Sequence, residues 1–252
     1  MLAQERQDRI TQLVEEHGSV SGSALVEELG ASPATIRRDI ETLARAGRVI
    51  KVHGGATAVH NVVYETSDRA MDEKYPLYID EKDAIATYAA TLIEPGDFVY
   101  VDAGSTTETL VDHLGPSAAG ATFVTNSIVA ARKLVRKGYR TLMTGGELKA
   151  STEALVGPEA IAGIERYHFT KGFWGTNGAT LGQGFTTPDI NEAQVKRTSM
   201  ERTGKRYVLT DASKFGTVAP VTFAEFASAT VITSGGVDEM YQQQVNVVEV
   251  PA

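Results

Sequence analysis

The chain has 252 residues, 42% of them hydrophobic and 22% charged, enough apolar material for one large core or two smaller ones. No apolar run approaches the roughly 20 residues that span a bilayer, residues 1–9 are polar, and cysteine is absent. A cytoplasmic protein without signal peptide, membrane span, disulfides or cysteine-based zinc is expected.

The net charge of −8 opposes DNA binding unless positive charge is gathered locally. It is gathered. Residues 1–30 carry a net −4 and residues after 57 a net −7, whereas residues 31–57 carry +3. That segment sets Arg37, Arg38, Arg45, Arg48 and Lys51 against Asp39 and Glu41.

Ile10, Leu13 and Val14 recur at helical spacing before Gly18, which predicts a first helix at about 3–17. A second helix opens at Val20-Ser21, buries Leu25 and Leu29, and closes at Gly30. Ser32-Pro33 then pairs a preferred N-cap with the residue favoured at the first helical position, so a third helix begins there. Its apolar stripe is Ile36, Ile40 and Leu43, and Ala34, Arg38, Glu41 and Arg45 face away from it.

A helix that starts with small and cationic side chains can enter a major groove about 12 Å wide. Ser32, Ala34, Thr35 and Arg38 are the candidates for base contacts, and Arg37 and Arg45 for phosphate anchors. Arg48 to His53 alternates as a short strand and Gly54-Gly55 turns it, a basic wing that brings Arg48, Lys51 and His53 to the DNA backbone or minor groove. Thr35-Ile36-Arg37-Arg38-Asp39-Ile40 followed by His53-Gly54-Gly55-Ala56 resembles the signature of DeoR-family bacterial regulators, with Ile40 where members usually carry Leu. The resemblance implies a winged helix-turn-helix over 1–57 that binds double-stranded operator DNA.

From 58 to 76 the pattern dissolves, and a linker or irregular crossover is expected. Beyond it helix and strand alternate. A helix at about 81–94 carries Ile85, Tyr88, Ala89 and Leu92, and apolar runs at 98–101, 121–124, 140–143, 172–175, 206–210 and 230–233 read as strands. The fold class is α/β, with a mainly parallel sheet over 77–252.

Ligands of open α/β sheets lie at the carboxyl ends of strands, where this sequence is polar. Asp102 to Thr107 ends the first run just before a helix whose N-terminus can hold an anion, with Ser105 or Thr106 as simple helix caps the alternative. Thr125-Asn126-Ser127, Thr144-Gly145-Gly146-Glu147, Gly175 to Gly178 and Asp211 to Gly216 end later runs, and Lys196 adds a cation. One converging pocket is expected, without a Walker loop or dinucleotide fingerprint.

These blocks resemble the DeoR-family effector domain, related to ribose-5-phosphate isomerases, which implies a sugar-phosphate ligand. Carried over, Gly104, Ser105, Thr106 and Thr107 cradle the phosphate beside Asp102. Thr125, Asn126, Gly145, Gly146, Lys196, Asp211 and Lys214 line the sugar side. Phe173 to Gly178 and Gly184 to Asp189 look most like fructose-operon repressors of Gram-positive bacteria, which implies fructose 1-phosphate as effector. Thr233-Ser234-Gly235 departs from the Thr-Asp of many relatives.

The expected function is a homo-oligomeric repressor, dimer or tetramer, relieved by a phosphosugar. The alternative is a sugar-phosphate isomerase with a DNA-binding head, using Asp211, Lys196 and Glu147 as acid and base groups. Such isomerases carry an Asp-Gly-Ala-Asp block where this chain has Asn177-Gly178-Ala179-Thr180, so no catalytic residue is expected. His17, His60, His113 and His168 lack ligand spacing, and no metal or cofactor is expected. Trp174 reads as core, and Lys133 to Arg140 as the cationic, solvated end of a helix.

Overall fold

The structure is a computed structural model that describes residues 1–52, 54–58, 63–67 and 69–251. His53 and His60, singled out above, lie outside the described residues. In the N-terminal head, α1 (Ala3–His17), β1 (Ser19–Ser21), α2 (Gly22–Leu29) and α3 (Pro33–Arg45) are followed by a wing of β2 (Val49–Val52) and β3 (Gly55–Ala58). Ile10, Val14, Leu25, Ile36 and Leu43 close a core that no water reaches, so the apolar stripes fix how the helices pack.

The second helix begins later than the sequence predicts. Val20 lies in β1, which pairs antiparallel with β3 through Val20 and Ala56, and Ser21 caps α2 by accepting from Ala24 N–H at 3.1 Å. Three residues are too short for periodicity to separate strand from helix. The pairing requires glycine at 55, because a Cβ there would stand 2.2 Å from the Val20 carbonyl oxygen.

The described part of the connecting segment lies against the second domain. It holds β4 (Val63–Tyr64) and α4 (Met71–Lys74), then α5 (Ile79–Thr91) and β5 (Phe98–Val101). The expected linker at 58–76 therefore contains a strand and a helical turn, and Met71 is buried. Next come α6 (Ser105–Asp112), β6 (Thr122–Thr125), α7 (Ile128–Arg136), β7 (Arg140–Met143), β8 (Glu147–Lys149), β9 (Ala154–Val156), α8 (Pro158–Glu165) and β10 (Phe169–Gly175). The chain continues through β11 (Gly178–Thr180), β12 (Gly184–Thr187), α9 (Ile190–Glu201), β13 (Thr203–Leu209), β14 (Thr217–Val218) and β15 (Val221–Ala224). It ends with β16 (Thr230–Thr233), α10 (Glu239–Gln242) and β17 (Val247–Glu249).

The main sheet is parallel, in the order β17-β16-β13-β10-β5-β6-β7. One apolar cluster around Ile85, Val99, Leu110 and Phe123 and another around Tyr100, Trp174, Val195 and Phe223 bury its residues on both faces, as a parallel sheet requires. Trp174 is fully buried, and its Nε1–H donates to Ser199 Oγ at 2.9 Å. Lys133 and Lys137 turn back onto the end of α6, where Lys133 meets Asp112 at 2.6 Å. The cations expected to be merely solvated thus neutralise a helix C-terminus.

After β5 the chain builds outward through β6 and β7, then returns to β10 and builds the other way. The carboxyl ends of β5 and β10 therefore form a topological switch point, where the diverging connections leave a crevice. The wing lies against the second domain at Gly182, where a Cβ would be 3.3 Å from Ile50 Cγ2 and 3.4 Å from the Lys51 carbonyl oxygen.

Candidate nucleic-acid interface and ligand cleft

In α3 the side chains meant for DNA do face outward. Ala34, Arg37, Arg38 and Arg45 are exposed, and Thr35 is half-buried. Ser32 caps the helix, accepting from Thr35 N–H at 3.2 Å while its hydroxyl meets Thr35 Oγ1 at 2.8 Å. Of the two acids in the basic segment, Asp39 is buried against Arg6 at 2.6 Å and Gln7 at 2.9 Å, so its charge is spent inside the head. Glu41 meets Lys51 of the wing at 2.6 Å and Arg37 at 3.7 Å. The hydrogen bond from Lys51 holds the Glu41 carboxyl below its usual range. Arg48 reaches Asp8 of α1 at 2.9 Å. Arg38 has no ion pair among the described residues, which leaves its planar fork of donors available.

At the switch point of the sheet lies a narrow cleft. Gly104, Ser105 and Thr106 line it at the start of α6. Gly104 is the N-cap and no side chain caps that end, so the alternative in which Ser105 or Thr106 merely caps the helix is not what the structure shows. The first-turn N–H groups and the helix dipole are left for an anion.

Lys196 of α9 also lines the cleft. Its ammonium forms an ion pair with Asp102, which ends β5, and donates to the Gly175 carbonyl at 3.1 Å. Gly175 N–H returns a bond to Asp102 Oδ2 at 3.2 Å. Asp102 is buried beneath the cleft, and that burial pushes its carboxyl pKa up against the pull of Lys196. From the end of β13 come Asp211 and Lys214. Asp211 is held by Ser213 N–H at 3.0 Å, and Ala212 N–H donates to the Ser234 carbonyl at 3.1 Å. Ser234 thus props the Asp211 loop through its backbone.

The remaining expected residues do not reach the cleft. Thr107 is fully buried, its hydroxyl donating to the Asp102 and Gly104 carbonyls at 2.7 and 2.8 Å. Thr125 accepts from Ser127 N–H at 2.9 Å. Asn126 accepts from Ala103 N–H at 3.0 Å and from Tyr100 O–H at 3.1 Å. Thr107 and Asn126 thus shape the loop after β5 from behind, and Thr125 the turn after β6. Gly145 and Gly146 sit at the exposed end of β7, and Gly146 packs so closely that a Cβ would meet the Val156 carbonyl at 2.4 Å. Glu147, an acid-base candidate, lies exposed on β8 outside the cleft. The cause is strand order: β6 and β7 stand one and two strands beyond β5, and strands are spaced about 4.8 Å apart.

The cleft also holds residues that the sequence reasoning passed over. Glu65, Arg69, Met71 and Lys74 enter from the connecting segment, Lys82 from α5, and Glu192 from α9. Lys82 is buried, and desolvation lowers its pKa although Asp211 partly opposes this. It stands on the stripe of Ile85, Ala86 and Ala89, and a cation on a helix's apolar face was the signal that could have found it. Cations outnumber carboxylates around the opening of α6, which suits an anionic ligand.

Residues 6–62 match the model of the DeoR-like helix-turn-helix domain, and residues 78–235 that of the DeoR C-terminal sensor domain. The chain belongs to the DeoR family of transcriptional regulators. Similar members include the regulator FruR of Bacillus subtilis, 37% identical over 93% of this chain and 92% of its own. IolR of the same organism is 35% identical over 91% and 90%. The lactose phosphotransferase system repressor of Staphylococcus epidermidis is 33% identical over 84% of each chain. Among solved structures, ribose 5-phosphate isomerase A of Methanocaldococcus jannaschii overlaps 54% of each chain at 15% identity, with a TM-score of 0.41. No helix among the described residues is long and apolar enough to cross a membrane.

Proposed function

We propose that this DeoR-family regulator represses a sugar-utilisation operon and leaves its operator when a phosphosugar, first of all fructose 1-phosphate, fills the cleft. One observation carries the reading. An uncapped helix N-terminus, the α6 start at Gly104, opens into the same cleft as Lys82, Lys196 and Lys214, at the switch point of a parallel sheet. In this reading the backbone N–H groups of Ser105 and Thr106 take the phosphate, and the buried Lys196–Asp102 pair fixes the floor on which the sugar hydroxyls rest. The name of the lactose phosphotransferase system repressor supports a sugar-linked role. The protein acts as a cytoplasmic homo-oligomer whose α3 helices and wings hold operator DNA through Arg38 and the flanking cations.

An isomerase reading keeps Asp211 and Lys196 in the cleft but loses Glu147, and Asn177 to Thr180 brings no carboxylate. A thermal-shift panel of phosphosugars separates the two when each compound is recovered and analysed by NMR. Stabilisation of the full chain by one or two phosphosugars that come back unaltered is the expected result. Turnover of the bound sugar establishes the enzyme instead.

A further inference from the structure

The segment that leaves the wing is built into the wall of the cleft. Four residues after β3, the strand β4 pairs in parallel with β14, Val63 opposite Thr217 and Tyr64 opposite Val218. Val63 N–H donates to the Gly216 carbonyl at 3.0 Å and Glu65 N–H to the Val218 carbonyl at 3.1 Å. These contacts fall directly after the loop that carries Lys214 into the cleft. Farther along, Met71 N–H bonds to the Ser151 carbonyl at 3.0 Å, and the Tyr75 hydroxyl donates to the buried Glu108. The segment is thus held at both ends on the second domain.

Between those anchors Arg69 faces the cleft. Its guanidinium meets Glu65, four residues earlier, at 3.2 Å, and both side chains line the same cavity. The Arg69 side chain is half exposed. The pair is half exposed on its arginine side and made through a single nitrogen, Nε, so an incoming phosphate, which accepts two parallel N–H bonds from arginine, can compete for it.

Resting on the phosphosugar reading above, we infer that Arg69 is a ligand-binding residue carried on the connecting segment, drawn from Glu65 to the phosphate when the cleft fills. The ligand then touches the β13–β14 loop through Lys214 and the segment beside it through Arg69. Occupancy changes how β4 lies on β14, and with it the position of the head four residues upstream. A ligand shifts such an equilibrium only through contacts that differ between the two states, and an arginine that changes partners supplies one.

The experiment uses the full chain with fructose 1-phosphate, or whichever phosphosugar of the panel stabilises the wild type. Calorimetry reads ligand affinity, and fluorescence anisotropy reads the ratio of operator affinities without and with ligand. Arg69→Gln is expected to weaken the ligand about tenfold or more and to shrink the operator response in proportion. Arg69→Lys recovers part of both, because the charge stays while the fork is lost. Glu65→Gln removes the competing carboxylate and is expected to tighten the ligand severalfold, so it decides the matter if Arg69→Gln melts as an unfolded chain. Wild-type ligand affinity together with a full operator response in folded Arg69→Gln overturns the inference, as does unchanged affinity in Glu65→Gln. A wild type that binds no phosphosugar of the panel overturns the phosphosugar reading itself, and this inference falls with it.

Discussion

Asp102 at the end of β5 and Lys196 on α9 form a buried ion pair across the switch point of the sheet, and Gly175 bonds to both partners. The pair ties together the two strands whose connections diverge. Its aspartate is disfavoured as an anion by burial and depends on the lysine for compensation. Lys196→Met is therefore expected to cost about 3–5 kcal/mol, because it strands a carboxylate beneath the cleft. The double variant Asp102→Asn/Lys196→Met should lose much less than the sum of the two single changes. Urea denaturation of the four proteins checks this, and additive losses contradict the pairing.

Arg38 points outward from α3 without an ion pair among the described residues, whereas Arg48 is tied to Asp8. Arg38→Ala is expected to abolish operator-specific binding with the melting curve intact, a loss of about 1–3 kcal/mol for each base contact. Arg48→Ala should weaken binding to all sequences alike and lower the salt slope by about 1. Footprinting and salt titration separate them, and an unchanged Arg38→Ala footprint removes α3 as the reading helix.

Lys82 gives the cleft a pH dependence. Burial sets its pKa below 10.5 in the folded protein. Between the lowered value and 10.5 the unfolded chain holds more protons, so this lysine adds stability as pH rises through that window. A bound phosphate favours the charged form and draws the pKa back up. Phosphosugar binding should then take up a proton in the window, and affinity should fall as pH rises. Calorimetry in two buffers of different ionisation enthalpy measures the uptake. The same uptake in Lys82→Met assigns it to another group.

The head was almost wholly legible, because Ser32-Pro33 and the Ile36, Ile40, Leu43 stripe are local signals. Six of the seven strands of the sheet were legible too, within a few residues, as apolar runs, whereas β17 at the edge was not. Their order was not, since pairing is set by long-range packing. That is why Asn126 and Gly146, expected at the pocket, lie away from the cleft, while Gly104, Ser105, Thr106, Lys196, Asp211 and Lys214 line it. The connecting segment escaped notice for a related reason. Glu65 and Arg69 show no periodicity, and their place in the cleft comes from β14, which lies about 150 residues away in sequence.

The central claim, that a sugar phosphate in the cleft governs DNA binding, is tested most directly by anisotropy of a labelled duplex enriched from a random pool by the full-length protein. Fructose 1-phosphate is titrated beside unphosphorylated fructose. The account expects the phosphorylated sugar to lower duplex affinity by about tenfold or more and fructose to leave it unchanged. Affinity indifferent to every phosphosugar, or shifted equally by fructose, contradicts it.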